Sequence, residues 1–598
     1  MPASRSDGRR ALRFLAPLLL LASGVSAAAA GSGTLIGPPA PLGPPQRLTL
    51  PPPAAPEVKP AAAPAPIDAK GKPIEVDKLA PIDPNWAGPL GVDQGGFPPN
   101  LWQGTPRSFV AALLPRIPVT TSPALQDLTR RLLLSNAVAP GAAGESPSTA
   151  GGEPNLVALR LDRLIAAGDV AAARSVLEAV PGHETVEPLE RQRAELAFLA
   201  GDGKAACERI TDDVRRFKDI WWTRALIACQ AMAGDQAKAA LGLDLLREQK
   251  VPRDGTFDAL IAAQSGRRGK LDRLSNPTPL ELALLSNAKL PLPNEALTAA
   301  SPALSRAWAQ SPNAPDGQRL AAAERAAAFG ALPIADLRSL YEKSELTADE
   351  RASPVSAAGK VKGARGQAIL YAAAAAQKQA AARAELLRTM LDAARKDGDF
   401  VLVSRLAEPL LIEVPPSGDT AFLAGDAARA LLVTGHGDEA KAWLAAADPE
   451  TVQLLAPVLR LAFADKAPGW NAKRAAETMD ALAKSEDEAG PRRAALALSL
   501  LGALGEPIGP ADWTPLAAKL PLVSLDLPGA PVWFDLPRAA AEKRLGETVL
   551  LTLITAGEGD RLSAQPARLV PAVAALRAVG LEKEARALAL EAALAGGL

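Results

Sequence analysis

Few side chains in this sequence have the type and spacing that catalysis or metal binding requires. The 598 residues include two histidines, His183 and His436, and two cysteines, Cys207 and Cys229. No paired-histidine zinc motif, CxxC pair or GxSxG nucleophile motif occurs. His183 follows Pro181-Gly182, which predicts an exposed turn rather than a metal ligand. We therefore predict no catalytic residue, no metal site and no cofactor.

Two stretches look like nucleotide-binding loops, but their contexts argue against that chemistry. Gly269-Lys270 lacks the earlier glycine of a phosphate-binding loop and is followed by Leu271. Residues 435–440 match a GxGxxA pattern, which binds a dinucleotide only where a β-strand precedes it. Residues 421–433 are instead rich in alanine and have helical periodicity. We interpret 435–440 as a turn between helices.

The N-terminus has the layout of an export signal. Four arginines between positions 5 and 13 precede an apolar run at 14–25, and small residues follow at 26–30. This order is typical of a secretory signal peptide, with cleavage expected after one of the alanines at 27–30. We predict a periplasmic protein. An uncleaved signal that anchors the chain in a membrane stays open as the alternative.

The composition restricts both the fold and the partners. The chain has 66 basic and 66 acidic residues, so no excess of positive charge favours nucleic acid or an anionic membrane surface. Hydrophobic residues make up 48% of the chain but aromatic residues only 4%. Alanine, leucine and valine must therefore form the core, and the abundance of good helix formers predicts an all-α protein.

A repeat organises the stretch 156–250. Three Gly-Asp pairs interrupt alanine- and leucine-rich helical runs at intervals of 33 residues. Glycine can take the left-handed conformation that ends a helix, and aspartate can cap the start of the next one. An alanine five residues after each glycine lets two helices approach closely. The pairs are Gly168-Asp169, Gly201-Asp202 and Gly234-Asp235, and the alanines are Ala173, Ala206 and Ala239.

The sequence divides into segments of distinct composition. The predicted segments are a signal peptide at 1–30, a Pro/Ala-rich disordered arm at 31–80, an aromatic docking segment with the first helices at 81–136, a loop at 137–153, helical repeats at 154–265, irregular helical repeats at 266–504, and a Pro-rich segment with C-terminal helices at 505–598. Within them, we predict a loop at 348–366 and final helices at 539–554 and 566–594. The predicted fold is an irregular α-solenoid of helix–turn–helix repeats.

The cysteines Cys207 and Cys229 are predicted to form a disulfide, because an oxidising compartment permits the bond and no third thiol is left over. They fall in predicted helices at 204–217 and 219–233, each 11 residues from the turn at Lys218. In an antiparallel hairpin this spacing puts them at the same height. Two buried free thiols remain the alternative, because rotation of either helix could point one sulfur away.

The repeat resembles that of the tetratricopeptide family, a helix–turn–helix unit of about 34 residues. The three turn glycines and three alanines carry this resemblance, whereas the family's regular tryptophan and tyrosine are missing. The whole chain is also similar to alanine-rich exported bacterial proteins that are sometimes labelled antifreeze glycopeptide polyproteins. It lacks the tandem Ala-Ala-Thr motif behind that label, so ice binding is not expected.

These features favour a non-catalytic periplasmic scaffold or adaptor that binds a protein or peptide partner through a helical-repeat surface. Trp221 and Trp222 are candidate partner contacts, although a core role for the pair is the competing interpretation. One alternative function is a cell-wall enzyme similar to the lytic transglycosylases, whose Glu-Ser motif matches here only at Glu145-Ser146, outside the expected C-terminal context. Another is an accessory periplasmic factor of an envelope machine such as the flagellar motor.

Overall fold

The computed structural model describes residues 84–141, 155–267, 271, 274, 276–361, 363–464, 467, 472–484, 489–520, 529–558, 561–562 and 565–598. The predicted signal peptide, the predicted arm at 31–80 and most of the predicted loop at 137–153 lie outside these residues. The chain divides into two units, Met1–Lys78 and Leu79–Leu598. The described residues all belong to the second unit.

The described residues form an all-α fold in which neighbouring helices pack in pairs, an irregular α-solenoid of helix–turn–helix units. The N-terminal helices are α1 (Arg107–Leu113), α2 (Pro123–Leu134), α3 (Leu156–Ala167), α4 (Val170–Glu178), α5 (Glu187–Leu199), α6 (Gly203–Asp213), α7 (Ile220–Met232) and α8 (Gln236–Glu248). The central helices are α9 (Gly255–Ala263), α10 (Pro279–Asn287), α11 (Asn294–Ala299), α12 (Pro302–Gln310), α13 (Asp316–Ala328), α14 (Ile334–Glu342), α15 (Ala348–Ala352), α16 (Pro354–Lys360), α17 (Ala364–Ala376), α18 (Ala380–Asp397) and α19 (Phe400–Glu413).

The remaining elements complete the chain to its last residues. The C-terminal helices are α20 (Ala424–Val433), α21 (Gly437–Ala446), α22 (Pro449–Leu454), α23 (Ala456–Phe463), α24 (Ala472–Lys484), α25 (Ala489–Ala503), α26 (Pro510–Ala517), α27 (Ala530–Ala541), α28 (Leu545–Ala556), α29 (Pro566–Ala578) and α30 (Glu582–Ala595). Two short strands, β1 (Gly557–Glu558) and β2 (Arg561–Leu562), pair antiparallel between α28 and α29. Short 3-10 turns lie at Pro84–Trp86, Val92–Gln94, Leu114–Arg116, His183–Thr185 and Ala421–Leu423.

Each Gly-Asp pair stops one helix and starts the next. The glycines that follow α3, α5 and α7 have φ values of 83°, 77° and 86°, in the left-handed region that favours glycine. The next residue caps the following helix: Asp169 accepts from the Ala172 amide at 3.0 Å, Asp202 from Ala205 at 3.0 Å and Asp235 from Lys238 at 3.2 Å. The alanines Ala173, Ala206 and Ala239 are buried where the paired helices meet.

Two predicted stretches differ from the structure. The predicted loop at 348–366 contains α15 and α16, because Thr347 and Glu350 form a reciprocal cap at the start of α15 and Pro354 begins α16. The predicted helix at 539–554 is two helices. The break lies at Lys543, which has a φ of 58° between α27 and α28.

The aromatic segment near residue 86 packs onto the helical body. Trp86 and Trp102 are buried, and their rings meet edge to face with centroids 4.6 Å apart. The buried guanidinium of Arg160, on α3, lies 4.7 Å from the Trp86 ring and donates to the carbonyls of Ala87 at 2.9 Å and Leu133 at 2.6 Å. Burial lowers the pKa of Arg160 to about 9. These bonds attach the segment to α3 and to the end of α2.

The last helix packs against the second helix, so the two ends of the unit are joined. The Glu591 carboxylate on α30 accepts the hydroxyl of Ser122, the N-cap of α2, and the Ala124 amide at 2.9 Å. Arg131 on α2 pairs with Glu584 on α30. The terminal Leu598 backbone oxygen accepts from Arg429 on α20 at 3.0 Å. The contacts of Glu591 and Glu584 with α2 join residues more than 450 positions apart in the sequence.

Candidate functional site

A cavity of about 810 Å³ lies beside the turns of the second and third Gly-Asp pairs. Its walls come from six helices: the ends of α5 and α7, the starts of α6 and α8, and the ends of α10 and α12. It exists because α10 packs on α5 and α7 while α12 packs on α3 and α5, so the downstream helices cover the repeat without filling it. This volume falls within the range of ligand pockets in proteins.

Part of the lining is apolar and is held firmly. Phe198, Leu282 and Trp308 contribute to the cavity and are each at most 5% exposed. The indole Nε1 of Trp308 donates to Gln318 at 3.2 Å, which fixes the ring from behind. Their packing fixes the apolar part of the lining, because rigidly buried side chains do not relax into an adjacent space.

Another part of the lining is polar and uncharged. The hydroxyls of Ser286 and Ser311 lie 2.9 Å apart, and Asn313 donates its side-chain amide to the Ser286 carbonyl at 2.8 Å. Gln230 and Gln310 also line the cavity, where Gln230 is partly exposed and Gln310 is exposed. Their amide groups are therefore available to a ligand.

The charged groups at the rim pair with each other. Lys238 lies 2.6 Å from Asp235, and Lys204 lies 3.9 Å from Glu208. The hydrogen bonds from Lys238 hold the pKa of Asp235 below its usual value. Two positive and two negative side chains leave the cavity without a net charge.

The cysteine pair forms one wall of the cavity. Cys207 on α6 and Cys229 on α7 form a disulfide with a Cα–Cα distance of 5.5 Å, and both residues line the cavity. The bond connects the second helix of one pair to the first helix of the next. α6 buries Ala206, Ile210 and Asp213 and packs on both α5 and α7, so the disulfide adds to an existing attachment of this wall.

The tryptophan pair lies outside the cavity and its two members differ. Trp222 is 0% exposed, packs against Phe217 and donates its Nε1 to Glu187 at 3.1 Å, so it offers no surface to a partner. Trp221 is partly exposed, and the guanidinium of Arg191 covers its ring at 5.1 Å. Of the two proposed partner contacts, only Trp221 remains available.

Only some of the repeat-turn residues line the cavity. Gly201 and Asp235 line the cavity, whereas Gly168, Asp169, Asp202 and Gly234 lie at turns outside its lining. The lining residues on α10 and α12, such as Trp308 and Gln310, were not singled out by the sequence. Their positions follow from packing between helices about 100 residues apart in the sequence. A local sequence pattern does not predict such packing.

The two histidines do not line the cavity and are engaged elsewhere. His183 is 8% exposed, and its Nδ1 lies 3.0 Å from Glu190, so the prediction of an exposed turn is wrong at this side chain. His436 lies 2.9 Å from Glu408, whose other oxygen pairs with Arg338 at 2.8 Å. No group of three metal-ligating side chains occurs among the described residues.

Two glutamates, the buried Glu591 and the partly exposed Glu324, have raised pKa values and lie outside the cavity. Burial raises the pKa of Glu591 to about 7, although Ser122 and Ala124 donate to it. Burial also raises the pKa of Glu324 to about 7, and Tyr341 donates its hydroxyl to this carboxylate. Neither residue lines the cavity; Glu591 joins α30 to α2, and Glu324 joins the successive helices α13 and α14. Glu145-Ser146, the only candidate of the transglycosylase type, lies outside the described residues.

Residues 435–440 follow a helix, as the sequence indicated. α20 ends at Val433, Gly435 has a φ of 87°, and α21 begins at Gly437. This stretch is the turn of a helix pair, with Gly435 rather than Gly437 in the left-handed position. Among the described residues, no helix has the length and hydropathy needed to cross a membrane.

No protein-family model, curated protein or solved structure matches the chain.

Proposed function

We propose that the protein is a non-catalytic periplasmic scaffold or adaptor that binds a protein or peptide partner through its helical-repeat surface. The observation that carries this proposal is the cavity beside the Gly-Asp turns, whose lining combines partly exposed apolar side chains, Leu226 and Met232, with uncharged polar groups. Such a lining combines an apolar contact with a few placed polar groups, which is how proteins bind and orient a ligand.

The repeat supports the same proposal. Helix pairs that recur every 33 residues, with capped turns and buried alanines, are similar to tetratricopeptide-like repeats, and we propose that 154–265 belongs to that superfamily. Arrays of this kind present extended surfaces built from successive helices, which suits binding to another chain. The periplasmic location is proposed from the layout of residues 1–30.

The test is a capture experiment with the exported protein. A photo-crosslinking amino acid is placed at the exposed rim residue Gln310 and, as a matched control, at the exposed Lys378 between α17 and α18. A specific partner from an envelope extract should crosslink from position 310 and not from 378. Failure to capture any protein or peptide above an unrelated helical control would contradict the function.

The proposal that the protein is not an enzyme has its own test. Purified protein is incubated with peptidoglycan, and soluble muropeptides are measured. We expect none above a buffer control. Release that is lost on replacement of Glu145 with glutamine would instead support the transglycosylase alternative.

A further inference from the structure

We infer that the outer face of α8 binds the α8 helix of a second copy of this chain, side by side and in the opposite direction. The pairing places Leu241 of each copy against Leu245 of the other. Three features of α8 lead to this inference: its place at the end of the repeat, its outward-facing leucines and the charges beside them. This self-association does not depend on the proposed binding of another protein.

α8 is the last helix of the 33-residue repeat, and its outer side is uncovered. The second helices of the two earlier pairs each pack against two neighbours: α4 against α3 and α5, and α6 against α5 and α7. Among the described helices, α8 packs closely against α7 alone. The last unit of a helical array needs a polar outer face, because no further unit covers it.

The outer face of α8 is instead apolar at its centre. Leu241 is 71% exposed and Leu245 is 45% exposed, and the two lie one turn apart on the same face. The equivalent positions on α6, 33 residues earlier, carry the exposed acids Glu208 and Asp212. The repeat therefore has charged side chains where α6 faces water, and leucines at the same positions of its last helix. Exposed leucines at these positions indicate a surface that another chain covers.

The charges on this face fit a second α8 that runs in the opposite direction. An antiparallel alignment centred on Leu243 places Leu241 against Leu245 of the other copy. The same alignment places the exposed Lys238 against the exposed Glu248 at both ends of the pair. A parallel alignment would put lysine against lysine and glutamate against glutamate, and like charges in contact disfavour that arrangement. The charges therefore select the antiparallel pair.

The same two charges are poorly placed for α8 by itself. Lys238 lies in the first turn, near the positive end of the helix dipole, and Glu248 is the last residue, near the negative end. Asp235, the N-cap, lies 2.6 Å from Lys238 and offsets part of this cost. In the antiparallel pair, Lys238 lies beside the negative end of the other helix and Glu248 beside its positive end. The pairing therefore suits charges that an isolated α8 does not favour.

The pair of helices is short, so the dimer is weak and depends on concentration. α8 has 13 residues, which span about 20 Å at 1.5 Å per residue. Exposed ion pairs contribute little affinity and mainly fix the direction of the two helices. The leucines supply the attraction, because each leaves water on contact with the other copy. An interface smaller than that of an obligate dimer leads us to expect a dissociation constant of about 10–100 µM.

Sedimentation velocity of the exported protein between about 1 and about 200 µM tests the pairing. The average mass should rise from that of a monomer toward that of a dimer. Leu241→Glu changes an exposed side chain and puts a carboxylate into the contact, so it should raise the dissociation constant about tenfold or more. Leu454→Glu, the same change at a leucine on α22 that is 48% exposed, should leave the dissociation constant unchanged.

A charge exchange distinguishes this pairing from a loss of folding. Lys238→Glu and Glu248→Lys each put like charges together in a self-pair, so each variant alone should dimerise about threefold more weakly or worse. Both changes suit the helix dipole, so α8 stays folded. An equimolar mixture of the two variants restores opposite charges at both ends and should dimerise more strongly than either alone. A chain that stays monomeric throughout, whatever else covers α8, would overturn the inference. A dimer unaffected by Leu241→Glu, or a mixture no stronger than its components, would do so as well.

Discussion

Glu591 shows how a single buried carboxylate can join distant parts of a chain. Its oxygens accept from Ser122 and Ala124, so it takes the place of water at the first turn of α2. An acid placed at a helix N-terminus also interacts favourably with the helix dipole. Burial has the opposite effect and raises its pKa to about 7, as it does for Glu324.

We expect the protein to be more stable in mild acid than at alkaline pH. The pKa of Glu591 is higher in the folded protein than its ordinary value of 4.5, so folding favours the protonated form. This contribution is complete below about pH 4.5 and is lost as the pH rises through about 7. The free energy of unfolding should fall by roughly 1–3 kcal/mol between pH 5 and 8 on account of this group.

Urea unfolding of wild type and Glu591→Gln at pH 5.5 and 8.0 measures this effect. The glutamine keeps a hydrogen-bonding group but does not titrate, so the pH dependence should shrink. Glu385→Gln, on the exposed face of α18, serves as the control. Carboxylates with lowered pKa values, such as Asp235 and Asp448, lose their contribution only at lower pH. Equal pH dependence in wild type and Glu591→Gln would show that Glu591 does not titrate in this range.

The disulfide should stabilise the unit as well as shape the cavity. Cys207 and Cys229 are 22 residues apart, and closing a loop of this length removes conformational entropy from the unfolded chain. The chain-entropy model gives about 3 kcal/mol. The Cys207→Ser, Cys229→Ser double variant should unfold at lower urea than oxidised wild type, and reduced wild type should match it. Identical unfolding midpoints for oxidised and reduced protein would contradict this.

At the scale of the elements, the Gly-Asp turns show which local signals predict structure. A helix end needs only a left-handed residue and a cap, and both are properties of adjacent residues. The sequence therefore predicted the turns at 168, 201 and 234 with their alanines. Gly398-Asp399 carries the same signal, with a φ of 81° at the glycine between α18 and α19, and was missed because no 33-residue interval drew attention to it.

Composition misled the prediction at 348–366, where Lys, Arg, Gly and Ser suggested a loop. Pro354 occupies the first position of α16, where the missing amide costs nothing, and Pro510 begins α26 in the same way. The cavity was beyond prediction for a different reason. The cavity depends on how α10 packs on α5 and α7 and how α12 packs on α5. The sequence between these helices has no regular repeat from which that packing could be predicted.

Two neighbouring glycines test the turn mechanism directly. Gly201 has a φ of 77°, whereas Gly203 is the first residue of α6, and a Cβ at either position would meet nothing within 4 Å. Gly201→Ala should therefore destabilise the protein by about 1 kcal/mol through backbone conformation alone. Gly203→Ala should be neutral or stabilising by up to about 1 kcal/mol. Thermal unfolding of the two variants compares them, and equal effects would refute the conformational explanation.

At the scale of the whole unit, the contacts of α30 make the C-terminus part of the core. α30 packs against α2, α19, α20, α23 and α25, and most of its side chains from Leu588 to Leu594 are buried. Stability at the N-terminal end of the unit therefore depends on residues at the other end. This dependence is absent from a plain linear repeat, in which each unit contacts only its neighbours.

Deleting residues 582–598 should expose this dependence. Hydrogen–deuterium exchange should show a loss of amide protection in α2, which loses both the Glu591 cap and the Arg131–Glu584 pair. Amides in α7 and α8 should keep their protection, because those helices pack within the repeat. Uniform loss of protection would mean that the unit unfolds as a whole, and no change at α2 would mean that these contacts contribute little.

The contact between the two ends of the unit can form only late in synthesis of the chain. Ala124 and Glu591 are separated by 467 residues. At a translation rate of about 5–20 residues per second, roughly half a minute to a minute and a half passes between the synthesis of α2 and the synthesis of Glu591, which caps it. During that time the apolar sides of α2 lack the helices that later cover them. The contacts that α30 makes with α2 can therefore form only after the rest of the unit has been synthesised.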